Sequence, residues 1–115
     1  MSDATPPKAP VISSKARSHL RSLAHGLEPI VHIGTEGITE SVCEAVGIAL
    51  RDHELIKVKL GKAFVGDRKT SARELAEAVG ADLTQVIGRV VVLYRPRPAE
   101  AGDKRPRIEL PKTSE

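Results

Sequence analysis

The alternation Leu55-Ile56-Lys57-Val58-Lys59-Leu60 lies between two stretches of helical spacing, and that placement restricts the fold more than any other feature of the chain. Period two puts Ile56, Val58 and Leu60 on one face of a strand and Lys57 and Lys59 on the other, so the strand is half buried. Upstream, Thr39 can cap a helix that carries Val42, Ala45, Val46, Ala49 and Leu50 on one face and ends near residues 51–53. Downstream, residues 61–66 form a loop and Asp67 a cap. Ala72, Leu75, Ala76 and Val79 then mark a helix closed by Gly80. A strand with a helix on either side requires crossovers to neighbouring strands.

Those neighbours are legible. Ile30, Val31, His32 and Ile33 form a short β-prone run after Pro29, which stops a preceding helix. That helix carries Ala16, Leu20, Leu23, Ala24 and Leu27 as one stripe, with Ser13 or Ser14 at its start and Gly26 at its end. Residues 84–87 and 90–94 are β-rich and separated by Gly88-Arg89, where a glycine at the first central position suits a type II′ hairpin. The predicted architecture is a two-layer α-β-α-β-α-β-β domain with a four-stranded mixed sheet. The proline-rich residues 1–12 are expected to be a flexible tail, residues 13–96 the domain, and residues 97–115 a mobile basic tail.

A chain of 115 residues suits one domain, and the 40% hydrophobic content supports a core. Cys43, the single cysteine, rules out an internal disulfide and a thiolate metal cluster. No apolar run approaches the ~18 residues of a membrane span, and the first residues lack the apolar core of an export signal. The cytoplasm is the expected location. The net charge of +3 is unevenly spread. Residues 1–27 hold four Lys/Arg against one acid, residues 28–94 hold eight against ten, and residues 95–115 hold six against four.

Three groups of residues bear on function. Gly34-Thr35-Glu36-Gly37 joins a strand to a helix, where glycines let backbone N–H groups approach a phosphate. A simple tight turn is the plainer reading. Arg17, Arg21 and His25 recur every four residues along the first helix, with Lys15 nearby and no acid to balance them. Lys57, Lys59 and Lys62 form a second cluster, and together these point to a polyanionic partner, although a solvated charged face would have the same composition. Aromatic content is 2%, with Phe64 and Tyr94 alone, too little for base-stacking platforms, so recognition would rest on backbone charge and shape. Phe64 reads as a packing plug or, less favourably, a lone stacking residue, and Tyr94 as core. His19, His25, His32 and His53 lack zinc spacing, and Cys43 falls near an apolar helix face as an inert thiol. No nucleotide-binding loop, nucleophile elbow or paired-carboxylate motif is present, so neither a cofactor nor catalysis is expected.

Four stretches in order, residues 15–25, 29–39, 53–60 and 85–95, resemble the CRM domain, the chloroplast RNA splicing and ribosome maturation module, in its bacterial stand-alone YhbY-type form. Residues 107–111, Arg-Ile-Glu-Leu-Pro, resemble the ending of the stand-alone members. The resemblance implies a fold like the C-terminal domain of a bacterial translation initiation factor. It also implies a non-catalytic monomer that binds ribosomal RNA or a precursor particle of the large subunit and assists its assembly, with no membrane, cofactor or small-molecule substrate. It marks Gly34, Thr35, Glu36 and Gly37 and the surrounding basic surface as the RNA contact. The expected contributors are Lys15, Arg17, Arg21, His25, Lys57, Lys59, Lys62, Arg89 and Arg95. The middle of that loop is commonly basic or neutral in the family, whereas Glu36 puts an acid there. The rival readings are a protein-interaction adaptor on ribosomal particles and a binder of other structured RNA such as introns.

Overall fold

The structure, a computed structural model, describes residues 12–97 together with Pro10 and Ile108. The expected tails therefore lie largely outside the described residues. The elements run α1 (Ser14–Ala24), β1 (Pro29–Ile33), α2 (Glu40–His53), β2 (Leu55–Leu60), α3 (Arg68–Val79), β3 (Asp82–Ile87) and β4 (Val90–Tyr94). Each helix starts where a short polar side chain can satisfy an orphan amide. Ser13 accepts from the Ala16 N–H, Thr39 from Val42 and Asp67 from Thr70. Gly80, left-handed at φ 68°, ends α3.

The strands form one sheet in the order β1-β2-β4-β3, with β1 parallel to β2 and both other pairs antiparallel. β2 and β3 consequently run the same way, and β4 returns between them through the turn at Gly88, whose φ is 57°. The main core lies on one face of this sheet. Ile56, Val58 and Leu60 meet Val46, Ala49 and Leu50 of α2 and Leu75, Ala76 and Val79 of α3, with Val91 and Leu93 completing the floor. Burying each such Leu or Val contributes about 1.5–3 kcal/mol before chain entropy is counted.

The mixed four-stranded sheet and the element order are as expected, but the layer count differs. Leu20 and Ala24 of α1 pack with Leu55, Val92 and Tyr94, whose side chains alternate away from the main core. Helix α1 thus covers the opposite face, and the domain has three layers. The β-branched strand residues of β4 are buried on both faces, which is why no alternation shows in that run. Two stripes also shrink. In α2, Ala45 is exposed beside buried Val46; in α1 Leu23 is 41% exposed, and Leu27, expected to extend the same stripe, lies three residues beyond the helix and is 38% exposed. A short helix crossing a sheet touches it along only part of its periodic stripe.

Beyond β4, Arg97 and Ile108 are held rather than free. The buried carboxylate of Glu54 accepts the Arg97 N–H at 2.6 Å and the Ile108 N–H at 2.7 Å, and Ile108 packs against the α1 cluster. These two contacts fall inside the stretch expected to be a mobile tail.

Candidate nucleic-acid interface

Strand register arranges the α1 side of the sheet into rows. Leu55, Tyr94 and Asp82 form the row beneath the start of α1, Lys57, Val92 and Gln85 the next, and His32, Lys59, Val90 and Ile87 the last. Helix α1 covers the first row and Val92 in the middle of the second. The two arginines one turn apart on that helix meet different rows and take different roles.

Arg17 reaches the first row and forms a two-point ion pair with Asp82, at 2.7 Å from Nη2 and 3.3 Å from Nε. The hydrogen bond to Asp82 raises the guanidinium above its usual pKa, against the opposing effect of burial. Thr84 donates to the same carboxylate at 3.0 Å. Arg17 is thereby an anchor between α1 and β3. Arg21, one turn on, instead borders the second row, where it lines a shallow depression with His25, Lys57, Gln85 and Ile87. Lys57 Nζ donates to the Leu27 carbonyl at 3.0 Å, which keeps its charge at the end of α1.

The last row opens onto the loops at the carboxyl ends of the parallel strands, the usual ligand side of α/β sheets. His32, Lys59 and Ile87 are exposed there. The Leu60 N–H donates to the Arg89 carbonyl at 2.7 Å and the Gly61 N–H to the Ile33 carbonyl at 2.8 Å, which ties the β3–β4 turn and the start of the 34–37 loop to the end of β2. The side chains of Lys59, Lys62 and Arg89 are exposed and have no protein partner among the described residues.

The 34–37 loop is a true turn, closed by a Gly37 N–H donating to the Gly34 carbonyl at 3.1 Å, with Gly37 at φ 73°. A side chain at position 34 would meet nothing within 4 Å, so packing does not demand a glycine there. The bare backbone instead leaves the loop open to close approach. Thr35 and Glu36 are exposed at its tip.

Arg21, His25, Lys57 and Lys59 therefore share the α1 face of the sheet, whose two open rows contain no acid, and the 34–37 loop, Lys62 and Arg89 lie at the strand ends that border it. Lys15 is exposed at the first turn of α1, about 9 Å along the axis from Arg21. Arg95 is not part of this surface. It donates to the Val79 and Gly47 carbonyls at 2.7 and 3.1 Å on the α2–α3 side, where burial, and secondarily Arg51, lowers its pKa. Phe64 is half buried against the main core, in keeping with a plug. The Cys43 thiol is pushed up by burial and by Glu40, so it stays protonated and unreactive at neutral pH. Sequence reasoning passed over His32 and Gln85 as members of this surface. Their placement depends on cross-strand register, although the parity of each residue within its strand carried half of the information.

No group of three or more metal-ligating residues occurs among the described residues, and no described helix is long and apolar enough to cross a membrane.

Fold and surface together define a small α/β module with one cationic face built from a helix, a sheet and strand-end loops. The chain belongs to the CRS1/YhbY (CRM) domain family, whose model matches residues 12–95. It is 36% identical over 101 residues to a Haemophilus influenzae protein named as an RNA-binding protein, covering 88% of this chain and 96% of that one. It is 37% identical over 87 residues to a "Probable RNA-binding protein" of Pseudomonas aeruginosa, covering 76% and 84%. Among solved structures, the solution structure of a hypothetical Staphylococcus aureus protein, described there as an RNA-binding candidate, superposes with a TM-score of 0.68 at 37% identity. That match covers 88% of this chain and all of the other.

Proposed function

We propose that this protein is a non-catalytic binder of structured RNA, that its target is ribosomal RNA of the large subunit, and that binding assists assembly of that subunit in the cytoplasm. The observation that carries the reading is the face on which Arg21, His25, Lys57 and Lys59 gather over two sheet rows free of acids, bordered at the strand ends by the exposed 34–37 loop, Lys62 and Arg89. Cations spread across a sheet and neighbouring loops match a folded polynucleotide, whose phosphates are likewise spread over a surface. The scarcity of aromatic side chains favours grip by charge and shape over base reading. Membership of a family whose relatives are named for RNA binding supports the same reading.

Titrating purified protein against protein-free large-subunit ribosomal RNA tests it. With about five phosphates neutralised, log affinity should fall against log salt with a slope of about −4 to −5. Replacing Lys57 and Lys59 together by glutamine should flatten that slope by about 2. Affinity indifferent to salt, or binding only when ribosomal proteins are present, would overturn the proposal and favour the adaptor reading.

A further inference from the structure

At the strand ends, a hollow of about 150 Å³ opens between the β2–α3 loop and the β3–β4 turn, lined by Leu60, Gly61, Phe64, Gly66, Arg68 and Arg89. We propose that this hollow is a subsite for a single RNA phosphate, gripped from two sides by Arg68 and Arg89. The inference rests on the RNA-binding reading above and adds to it a specific pair of ligating side chains, one of them on α3 rather than on the α1 side.

The floor of the hollow is fixed by the core. Leu60 is 1% exposed, and Phe64 packs against the main cluster while its N–H donates to the Gly61 carbonyl at 3.0 Å. Glycine suits both positions, through tight space at Gly61 and backbone conformation at Gly66. A Cβ at Gly61 would sit 3.3 Å from the Ile33 carbonyl oxygen, and Gly66 has φ +127°. The Arg89 carbonyl is bound to the Leu60 N–H, so the turn that carries the Arg89 side chain is anchored to this floor.

The rim, in contrast, is electrostatically incomplete. Arg68 and Arg89 are both exposed, neither side chain has a protein partner among the described residues, and no acid lines the hollow. Two arginines lining one polar hollow gather like charge there, which an anion held between them would neutralise. Planar, multi-donor guanidinium groups match phosphate oxygens better than ammonium groups do. Asp67, beside Arg68 in the chain, does not line the hollow. Its carboxylate accepts from the Thr70 N–H at 2.8 Å as the cap of α3, and it lines the adjacent depression with Arg68, Lys69, Val86 and Gly88. A phosphodiester is the form of phosphate that fits, because the hollow opens at the strand ends beside Lys62 and the 34–37 loop. A backbone crossing the cationic face reaches it without leaving the protein surface.

The test compares RNA affinity for Arg68→Gln, Arg89→Gln, the double variant, and Arg73→Gln, which removes an equal charge from an exposed site on α3 outside the hollow. Each of the first two should lose about tenfold at ~0.1 M salt and flatten the salt slope by about 1. The double variant should lose clearly less than the product of the two, because both groups hold one phosphate. Arg73→Gln should stay within about twofold. Unchanged melting temperatures are expected for all four variants, since no protein contact is removed. Equal losses for Arg68→Gln and Arg73→Gln, or fully multiplying losses at Arg68 and Arg89, overturn the subsite while leaving RNA binding intact. Failure of the unaltered protein to bind RNA overturns the parent reading instead. Inorganic phosphate, followed by the amide NMR signals of Gly61 and Gly66, separates the remaining source. Weak saturable shifts that RNA competes away support the subsite. Saturation by phosphate that leaves RNA affinity untouched assigns the hollow to a free anion and overturns it.

Discussion

Arg17 and Arg21 look interchangeable in the sequence, yet their energetic roles are opposite. Removing the Arg17 guanidinium strands Asp82, which is 7% exposed, with the Thr84 hydroxyl as its remaining side-chain donor. Arg17→Gln should therefore cost about 2 kcal/mol, below the ~3–5 of a fully buried pair because the Arg17 side chain is 34% exposed. The melting temperature should fall by about 8–16 °C. The slope of RNA affinity against salt should not change. Arg21→Gln should do the reverse, with an unchanged melting temperature and a slope flatter by about 1. Glu36 supplies the complementary test. It stands exposed at the tip of the 34–37 turn, so Glu36→Lys should tighten RNA binding several-fold if the loop lies against phosphates. An unchanged affinity would move the loop out of the interface. None of this division was visible in a list of basic residues, because pairing with Asp82 joins positions 65 residues apart.

Among the elements, α1 is the least integrated, and its distinctness follows from the three-layer arrangement. It attaches to the sheet through Leu20 and Ala24 against Leu55, Val92 and Tyr94, plus the Arg17 pair, whereas α2 and α3 share the main core. Leu20→Ala should cost about 2–5 kcal/mol, read by urea denaturation. Backbone amides of α1 should exchange with deuterium before those of α2 and α3 in the unaltered protein. Exchange of α1 in step with α2 would contradict a weakly coupled outer layer. The existence of all seven elements was legible from period, caps and turn residues, since these are properties of neighbours along the chain. The face that α1 covers was not, because a stripe of Leu and Ala fits either side of a sheet equally well. The exposed Leu23 and Leu27 reflect the same limit.

At the scale of the whole molecule, Glu54 joins segments that are far apart in sequence. It ends α2 at φ 66°, its carbonyl accepts the Arg95 N–H at 2.9 Å, and its buried carboxylate holds the N–H groups of Arg97 and Ile108. Loss of that carboxylate leaves enclosed donors unpaired, so Glu54→Ala should cost about 2–4 kcal/mol in urea denaturation. Glu54→Gly should cost about 1 kcal/mol less, since glycine adopts a positive φ without the clash of a Cβ. Equal losses would show that backbone strain at this position is negligible. Because Glu54 lies outside the cationic surface, RNA affinity of the folded variants should match that of the unaltered protein.

Sequence alone determined the kinds and order of elements, the hairpin, the caps and the family, because short-range chemistry and periodicity are written in adjacent residues. Tertiary structure decided which side of the sheet α1 occupies and which basic residues stay free. It withdrew Arg17 and Arg95 into protein contacts, brought His32 and Gln85 beside Lys57 and Lys59, and placed Arg68 and Arg89 around one hollow. The physical reason is that a charge acts through whatever lies within a few ångströms of it, and strand register and layer stacking alone determine those neighbours.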